Sequence, residues 1–240
     1  MATGTGVLID IRQKGFSETG TIFFDLSLKI QAGQVVALIG PSGVGKSTLL
    51  RTVAGIDNEF EGSVDINISH MKKEDAPGFV FQDPRLLPWE TALGNIRAVK
   101  PDMDVEHAKK LLSQLGLSGV KNRLPNQMSG GMQRRVALAR ALVVQPHLLL
   151  LDEPFVSIDR ELANELRNLL SKLIDDYQPT VLLVTHDPMD AAVLADRVVL
   201  MSGKPAQISD KLLIDRPRSD RDHDYVKFKV AEIERYGGMA

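Results

Sequence analysis

Residues 40–48 read GPSGVGKST, set between an apolar run, VVALI at 35–39, and a helix-spaced segment, STLLRTVAGI. This stretch constrains the fold more than any other. A buried strand must end, turn sharply through glycines and start a helix within a few residues. The spacing G-x-x-x-x-G-K-[ST] is met at Gly40, Gly45, Lys46 and Ser47, with the strand before and the helix after that it requires. Glycines let backbone N–H groups curl around the β- and γ-phosphates of a nucleoside triphosphate. Lys46 adds a positive charge, and Ser47 offers a hydroxyl to Mg²⁺. The nine residues Gly40, Pro41, Ser42, Gly43, Val44, Gly45, Lys46, Ser47 and Thr48 are therefore the predicted phosphate cradle.

A second apolar run, LLLLDEP at 148–154, ends in two carboxylates. Asp152 stands at the strand's end, where an acid that holds Mg²⁺ belongs. Glu153 is one residue on, and strand alternation points it to the other side, toward the γ-phosphate. It is the candidate general base. A third run, TVLLVTHD, ends at His186, and strand ends on one edge of a parallel sheet converge on the ligand. Gln82, after GFVFQ, sits at another such end, and its amide oxygen can hold Mg²⁺ or the attacking water.

Periodicity gives the layout. Residues 21–40 alternate as strands around a turn at Ala32-Gly33, and the helix after Lys46 stops near Gly55. Residues 60–82 read as short strands with turns. From about 84 to 145 the chain is helix-rich, with Val105, Ala108, Leu111, Leu112 and Leu115 on one face. Three strands then alternate with helical segments, which implies right-handed crossovers and a parallel sheet covered on both faces. RPRSDRDHD at 216–224 reads as a charged linker before a last helix, YVKFKVAEIERY.

Composition narrows the partners. The formal net charge of −2, with both signs interspersed, gives no electrostatic case for nucleic acid. With no cysteine in 240 residues, disulfides and thiolate metal sites are excluded. The N-terminal MATGTGVLIDIRQK lacks the apolar core of a leader peptide. No apolar run is long enough to cross a bilayer. Work at a membrane thus requires docking on other chains' helices. In LLPW, Trp89, the only tryptophan, lies in a loop-like stretch. It is either a core plug or a docking patch.

A second glycine pair, in MSGGMQRRVALARAL at 128–142, opens an amphipathic helix. With Ser129 before it, that end offers free N–H groups and a positive dipole to another anion. In this order, the phosphate loop, glutamine, SGG segment, strand–Asp–Glu and histidine closely resemble the ATP-binding-cassette ATPases, over about residues 7–202. The resemblance implies an α/β P-loop fold. It has a mostly parallel core sheet, an N-terminal antiparallel β-subdomain, and a helical subdomain at about 84–145 inserted in a domain spanning 1–215.

The roles it implies are those of the family. MSGGM is the signature, here with Met128 and Met132 in place of the usual leucine and glutamine. Ser129, Gly130 and Gly131 face the partner's nucleotide, VSID ends at the D-loop Asp159, and His186 is the switch histidine. Gln82 and Ser47 join Asp152 on Mg²⁺. Phe16 matches the aromatic that stacks on adenine, with Phe23 and Phe24 close by. ATP and Mg²⁺ are the expected ligands, and a second copy, head to tail, the expected partner.

FQDPRLLPWETALGNI and TVLLVTHDPMDAAVLADRVVLM resemble the ATPase subunits of bacterial nitrate, sulfonate and taurine importers, with hydroxymethylpyrimidine or thiamine-precursor importers as close relatives. That resemblance implies permease subunits and a periplasmic or extracellular binding protein, with this chain peripheral at the cytoplasmic face of the inner membrane. An exporter subunit or a soluble assembly ATPase is the alternative.

Overall fold

The computed structural model describes residues 5–16, 20–68 and 76–237, so part of the 60–82 segment lies outside the described residues. Its centre is a six-stranded sheet. The strands are β5 (Gly78–Val80), β6 (Leu148–Asp152), β7 (Thr180–Val184), β3 (Val35–Ile39), β8 (Arg197–Ser202) and β9 (Gln207–Leu213), in that order across the sheet. All neighbours are parallel except β8 and β9. Every residue of β3, β6 and β7 is buried. Such strands read as unbroken apolar runs because both faces are covered.

The pleat sorts these residues between two cores. Val35, Ala37, Ile39, Leu149, Leu151, Val181 and Leu183 pack on one side, against the helical layer. Val36, Leu38, Leu148, Leu150, Leu182 and Val184 pack on the other, against α1 (Lys46–Val53) and a second sheet. Each such side chain contributes about 1.5–3 kcal/mol relative to exposure. The second sheet is antiparallel, with β1 (Thr5–Phe16) between β2 (Gly20–Gln31) and β4 (Glu61–Ile66). Val7, Ile9 and Ile11 of β1 are fully buried and Leu8 and Asp10 are exposed, the two-residue period of a sheet with one face covered.

Local chemistry closes the helices. α1 ends in a Schellman turn: Ile56 N–H bonds Arg51 O, Gly55 N–H bonds Thr52 O, and Gly55 takes the left-handed φ of 68°. Thr91, Asp104, Ser129, Asp159 and Asp187 cap α2 (Ala92–Arg97), α3 (Val105–Gln114), α4 (Gly130–Leu142), α5 (Arg160–Tyr177) and α6 (Pro188–Leu194). α5 buries Ala163, Leu166, Leu170, Leu173 and Ile174 along one stripe and stops where Gln178 turns left-handed ahead of Pro179.

The charged 216–224 stretch is tied to the core. Arg218 donates to Asp196 Oδ1 (2.6 Å), Asp175 Oδ1 (2.8 Å) and Leu194 O (3.2 Å), and Arg221 Nη1 donates to the carbonyls of Ala192 and Val193. The last helix, α7 (His223–Gly237), follows directly.

Candidate functional site

Strand register brings the predicted residues to one edge of the sheet. Leu38 and Asp152 both pair with Val184, and Leu151 pairs with Val80. Gly40, Glu153, Thr185, His186 and Gln82 thus lie one or two residues beyond the same level of four adjacent strands. Gln82 is exposed, and its backbone oxygen accepts from Arg134 Nη1 of α4 at 2.7 Å. Arg140 of the same helix donates to the carbonyls of Arg85 and Pro84.

Two glycines of the phosphate loop are required by its shape. A Cβ on Gly40 would lie 2.3 Å from Met201 O. Gly45 has φ 109°, and a Cβ there would meet Ile22 Cγ2 at 2.7 Å and Phe23 Cε1 at 2.8 Å. No side chain caps the start of α1, and its first turn carries no acid. The positive end of the helix is left open to an anion. Lys46 is buried and donates to Gly40 O (2.7 Å) and Pro41 O (3.0 Å). Burial lowers its pKa, and Glu153 and Asp152 pull part of that back.

Asp152 shares the pleat face of Leu148 and Leu150, so it points at α1, where Oδ1 accepts from Ser47 Oγ at 2.9 Å. Burial raises the Asp152 pKa, the Ser47 hydrogen bond opposes this, and the Glu153 charge adds to it. A hydroxyl and one carboxylate suit Mg²⁺, which is held by one or two carboxylates, waters and phosphate oxygens. Among the described residues no group of three or more acids or histidines could hold a metal unaided. The donor set therefore fits a cation that arrives with the nucleotide.

At Glu153 the strand has ended and the pleat gives way to a turn. Glu153 has φ 48°, left-handed for a non-glycine residue, a strain of about 1–3 kcal/mol that functional sites often store. Its backbone N–H bonds Val184 O at 2.9 Å, and Oε2 lies 3.3 Å from His186 Nδ1. The imidazole is 59% exposed, open to a ligand.

Elsewhere the geometry is less direct. Ser129 Oγ accepts from Met132 N at 3.3 Å, so it caps α4, while a Cβ on Gly130 or Gly131 would meet nothing within 4 Å. Asp159 accepts from Leu162 N at 2.9 Å and is occupied as a cap in the same way. Phe16 is half exposed at the end of β1, with Lys14 Nζ 4.7 Å from its ring centre. Phe23 is fully buried behind the loop, and Phe24 lines a groove with Gln207–Lys211.

Trp89 is 71% exposed, so it plugs no core. Its loop is held from beneath by the fully buried Asn95. Asn95 Oδ1 accepts from Leu87 N (2.7 Å), and Nδ2 donates to the carbonyls of Leu87, Glu90 and Thr91. Sequence reasoning missed Asn95, as it missed Lys14, which is buried and donates to Asp57 Oδ1 at 2.7 Å and Glu59 O at 2.9 Å. On a helix or a strand, an isolated polar residue reads as a surface position, and only the packing tells otherwise.

Comparison with known proteins supplies the family. Residues 23–156 match the ABC transporter family. The chain is 43% identical over 216 residues to an aliphatic sulfonates import ATP-binding protein, SsuB 2, of Pseudomonas syringae pv. tomato, covering 89% of this chain and 90% of that protein. It is 44% identical over 228 residues to an SsuB 1 of Pseudomonas savastanoi pv. phaseolicola, covering 94% and 93%. Among solved structures it is similar to the dimeric post-hydrolysis ATP-binding cassette MJ0796 bound to ADP and Pi. That likeness has a TM-score of 0.76 and 29% identity, and covers 88% of this chain and 99% of that one. With the loop, the strand-end acids and the cassette fold in place, the chain belongs to the ABC transporter family and is an ATPase.

Proposed function

We propose that the chain is the ATP-hydrolysing subunit of an importer for sulfonate-class anions, closing head to tail with a second copy against membrane permease subunits. The observation that carries the hydrolytic half is the edge where Ser47–Asp152 and Glu153–His186 meet. The importer half rests on relatives named for aliphatic sulfonate import, matched along nearly their whole length. No helix of the described residues is long and apolar enough to cross a membrane, and in this reading partner chains supply the path across it. This reading puts the subunit at the cytoplasmic face, with a binding protein supplying the solute outside.

In this scheme the loop N–H groups and Lys46 bind the β- and γ-phosphates, and Phe16 stacks on the adenine. Ser47, Asp152 and Gln82 would hold Mg²⁺, which when bound offsets phosphate charge. Glu153 takes a proton from the attacking water as its oxygen bonds to the γ-phosphorus and the bridging P–O bond to ADP breaks. His186 donates a hydrogen bond to the γ-phosphate. Ser129, Gly130 and Gly131 turn the N-terminal end of α4 toward the nucleotide of the other copy, beside its Asp159. Two phosphate-binding helix ends on one chain then complete two shared sites.

Growth separates the solute classes. A strain lacking this chain should fail on an alkanesulfonate as sole sulfur source and grow on sulfate. Normal growth on both would remove the sulfonate assignment and leave the ATPase.

A further inference from the structure

Arg167 of α5 is a buried arginine that no part of the scheme above uses, and all three of its guanidinium nitrogens are engaged. Nε donates to Asp190 Oδ1 at 2.6 Å, Nη2 to Asp187 Oδ2 at 2.7 Å and Nη1 to Asn164 Oδ1 at 2.8 Å. The other oxygen of Asp190 accepts from Thr185 Oγ1 at 2.5 Å, and Thr185 Oγ1 accepts from Asp187 N at 3.0 Å. Thr185 and Asp187 are the two chain neighbours of His186. One is held by Arg167 directly and the other through Asp190. The guanidinium also lies 5.5 Å from the ring centre of Phe155, two residues after Glu153. A planar fork with donors in fixed directions can set two loops relative to each other, as an ammonium cannot.

We infer that Arg167 is a positioning residue for hydrolysis: it clamps both flanks of His186 and the turn after Glu153, so that the imidazole and the carboxylate meet the γ-phosphate in register. This rests on the reading that His186 contacts that phosphate. Burial raises the Asp190 pKa, and the Arg167 charge and the Thr185 hydrogen bond oppose that rise. Removing Arg167 outright would leave that carboxylate uncompensated and risk misfolding. The informative changes are therefore Arg167→Lys, which keeps the charge and loses the fork, and Asp187→Asn. The latter turns one half-exposed jaw of the clamp while an amide oxygen can still cap α6.

Full-length protein is assayed for kcat, KM for ATP and thermal midpoint, alone and with His186→Ala. The expected result is a kcat lowered on the order of 10-fold or more in Arg167→Lys, since small misplacements of reacting groups are costly. Asp187→Asn should show a smaller loss, with KM and midpoint near wild type in both. In the His186→Ala background Arg167→Lys should cost clearly less than in wild type, leaving only the share that acts through the turn after Glu153, as measured by single-turnover hydrolysis. A kcat within twofold of wild type in both clamp variants, beside a His186→Ala that is impaired, overturns the clamp and leaves the role of His186 standing. So does a loss that adds in full to that of His186→Ala, or one that follows a lowered midpoint in both variants. If His186→Ala itself hydrolyses ATP normally, the reading of His186 falls and the inference with it.

Discussion

The Ser47 hydroxyl donates to Asp152 Oδ1 at 2.9 Å, joining the first turn of α1 to the end of β6. That contact is poor compensation for a carboxylate that is only 2% exposed and has Glu153 next to it. In the proposed scheme Asp152 is an acid kept for a cation, and its burial is held at a cost.

Asp152→Asn should therefore stabilise the nucleotide-free protein near neutral pH while abolishing Mg²⁺-dependent hydrolysis. The folded-state pKa of Asp152 is raised, so its contribution to stability is greatest below the ordinary carboxylate range and is lost as pH rises through the raised value. The advantage of the asparagine is then largest at neutral pH and shrinks on acidification. Each kcal/mol regained is worth about 2–4 °C in a chain of this size. Calorimetry across a pH series decides, and a variant that melts below wild type at neutral pH sinks the argument.

Glu153→Gln should retain ATP binding and lose hydrolysis by on the order of 10²–10⁴, the worth of a positioned acid–base group. The amide is near-isosteric and can stay within reach of His186 Nδ1, so the strained turn at φ 48° should survive. Phosphate release and nucleotide titration measure the two halves separately. Wild-type hydrolysis would take the base role from Glu153.

The helix end at Gly130 allows a cleaner test of pairing. A side chain there meets nothing within 4 Å, and a carboxylate in the first turn of α4 suits the helix dipole, so Gly130→Glu should fold normally. It should bind one ATP per chain and fail to dimerise or hydrolyse, because its charge opposes the partner's γ-phosphate. Mixed with Lys46→Ala, it should regain part of the activity. One composite site then has the intact loop of the first chain and the intact SGG segment of the second. A mixture as inactive as its parts would argue against head-to-tail sharing.

Sequence periodicity carried the central sheet because β3, β6 and β7 are short, wholly buried and parallel, so nothing polar interrupts them. It missed β9, whose QISDKLL alternates half-buried with exposed residues at the sheet's edge. The residues proposed to touch phosphate were legible because that chemistry dictates their spacing. Those that hold them in place were not: Arg167 and Asp190 are 23 positions apart, and each alone reads as a solvated helix charge. The 216–224 stretch read as a linker for the same reason, since Asp175 and Asp196, which pin Arg218, lie on other elements.

Trp89 poses the last question, whether an exposed aromatic in a stiff loop is a contact surface. At 71% exposure it contributes little to the fold, whereas four hydrogen bonds from the buried Asn95 hold the loop that presents it. Flexible loops bear large apolar groups at a cost, and a loop wired from below is preorganised to offer one. The same segment begins near Gln82, whose carbonyl is held by Arg134 of α4. Arg140 of that helix holds the carbonyls of Pro84 and Arg85, so the strand-end glutamine and the loop share a connection to α4. Trp89→Ala should keep the thermal midpoint within the roughly ±0.5 kcal/mol of a surface change, and keep basal ATPase, while the permease no longer co-purifies. Asn95→Ala should also detach the permease, but with a lower midpoint, because it leaves buried backbone groups unpaired at about 1–3 kcal/mol. A Trp89→Ala protein that melts several kcal/mol early would make the ring structural, and one that still holds the permease would move the docking surface elsewhere.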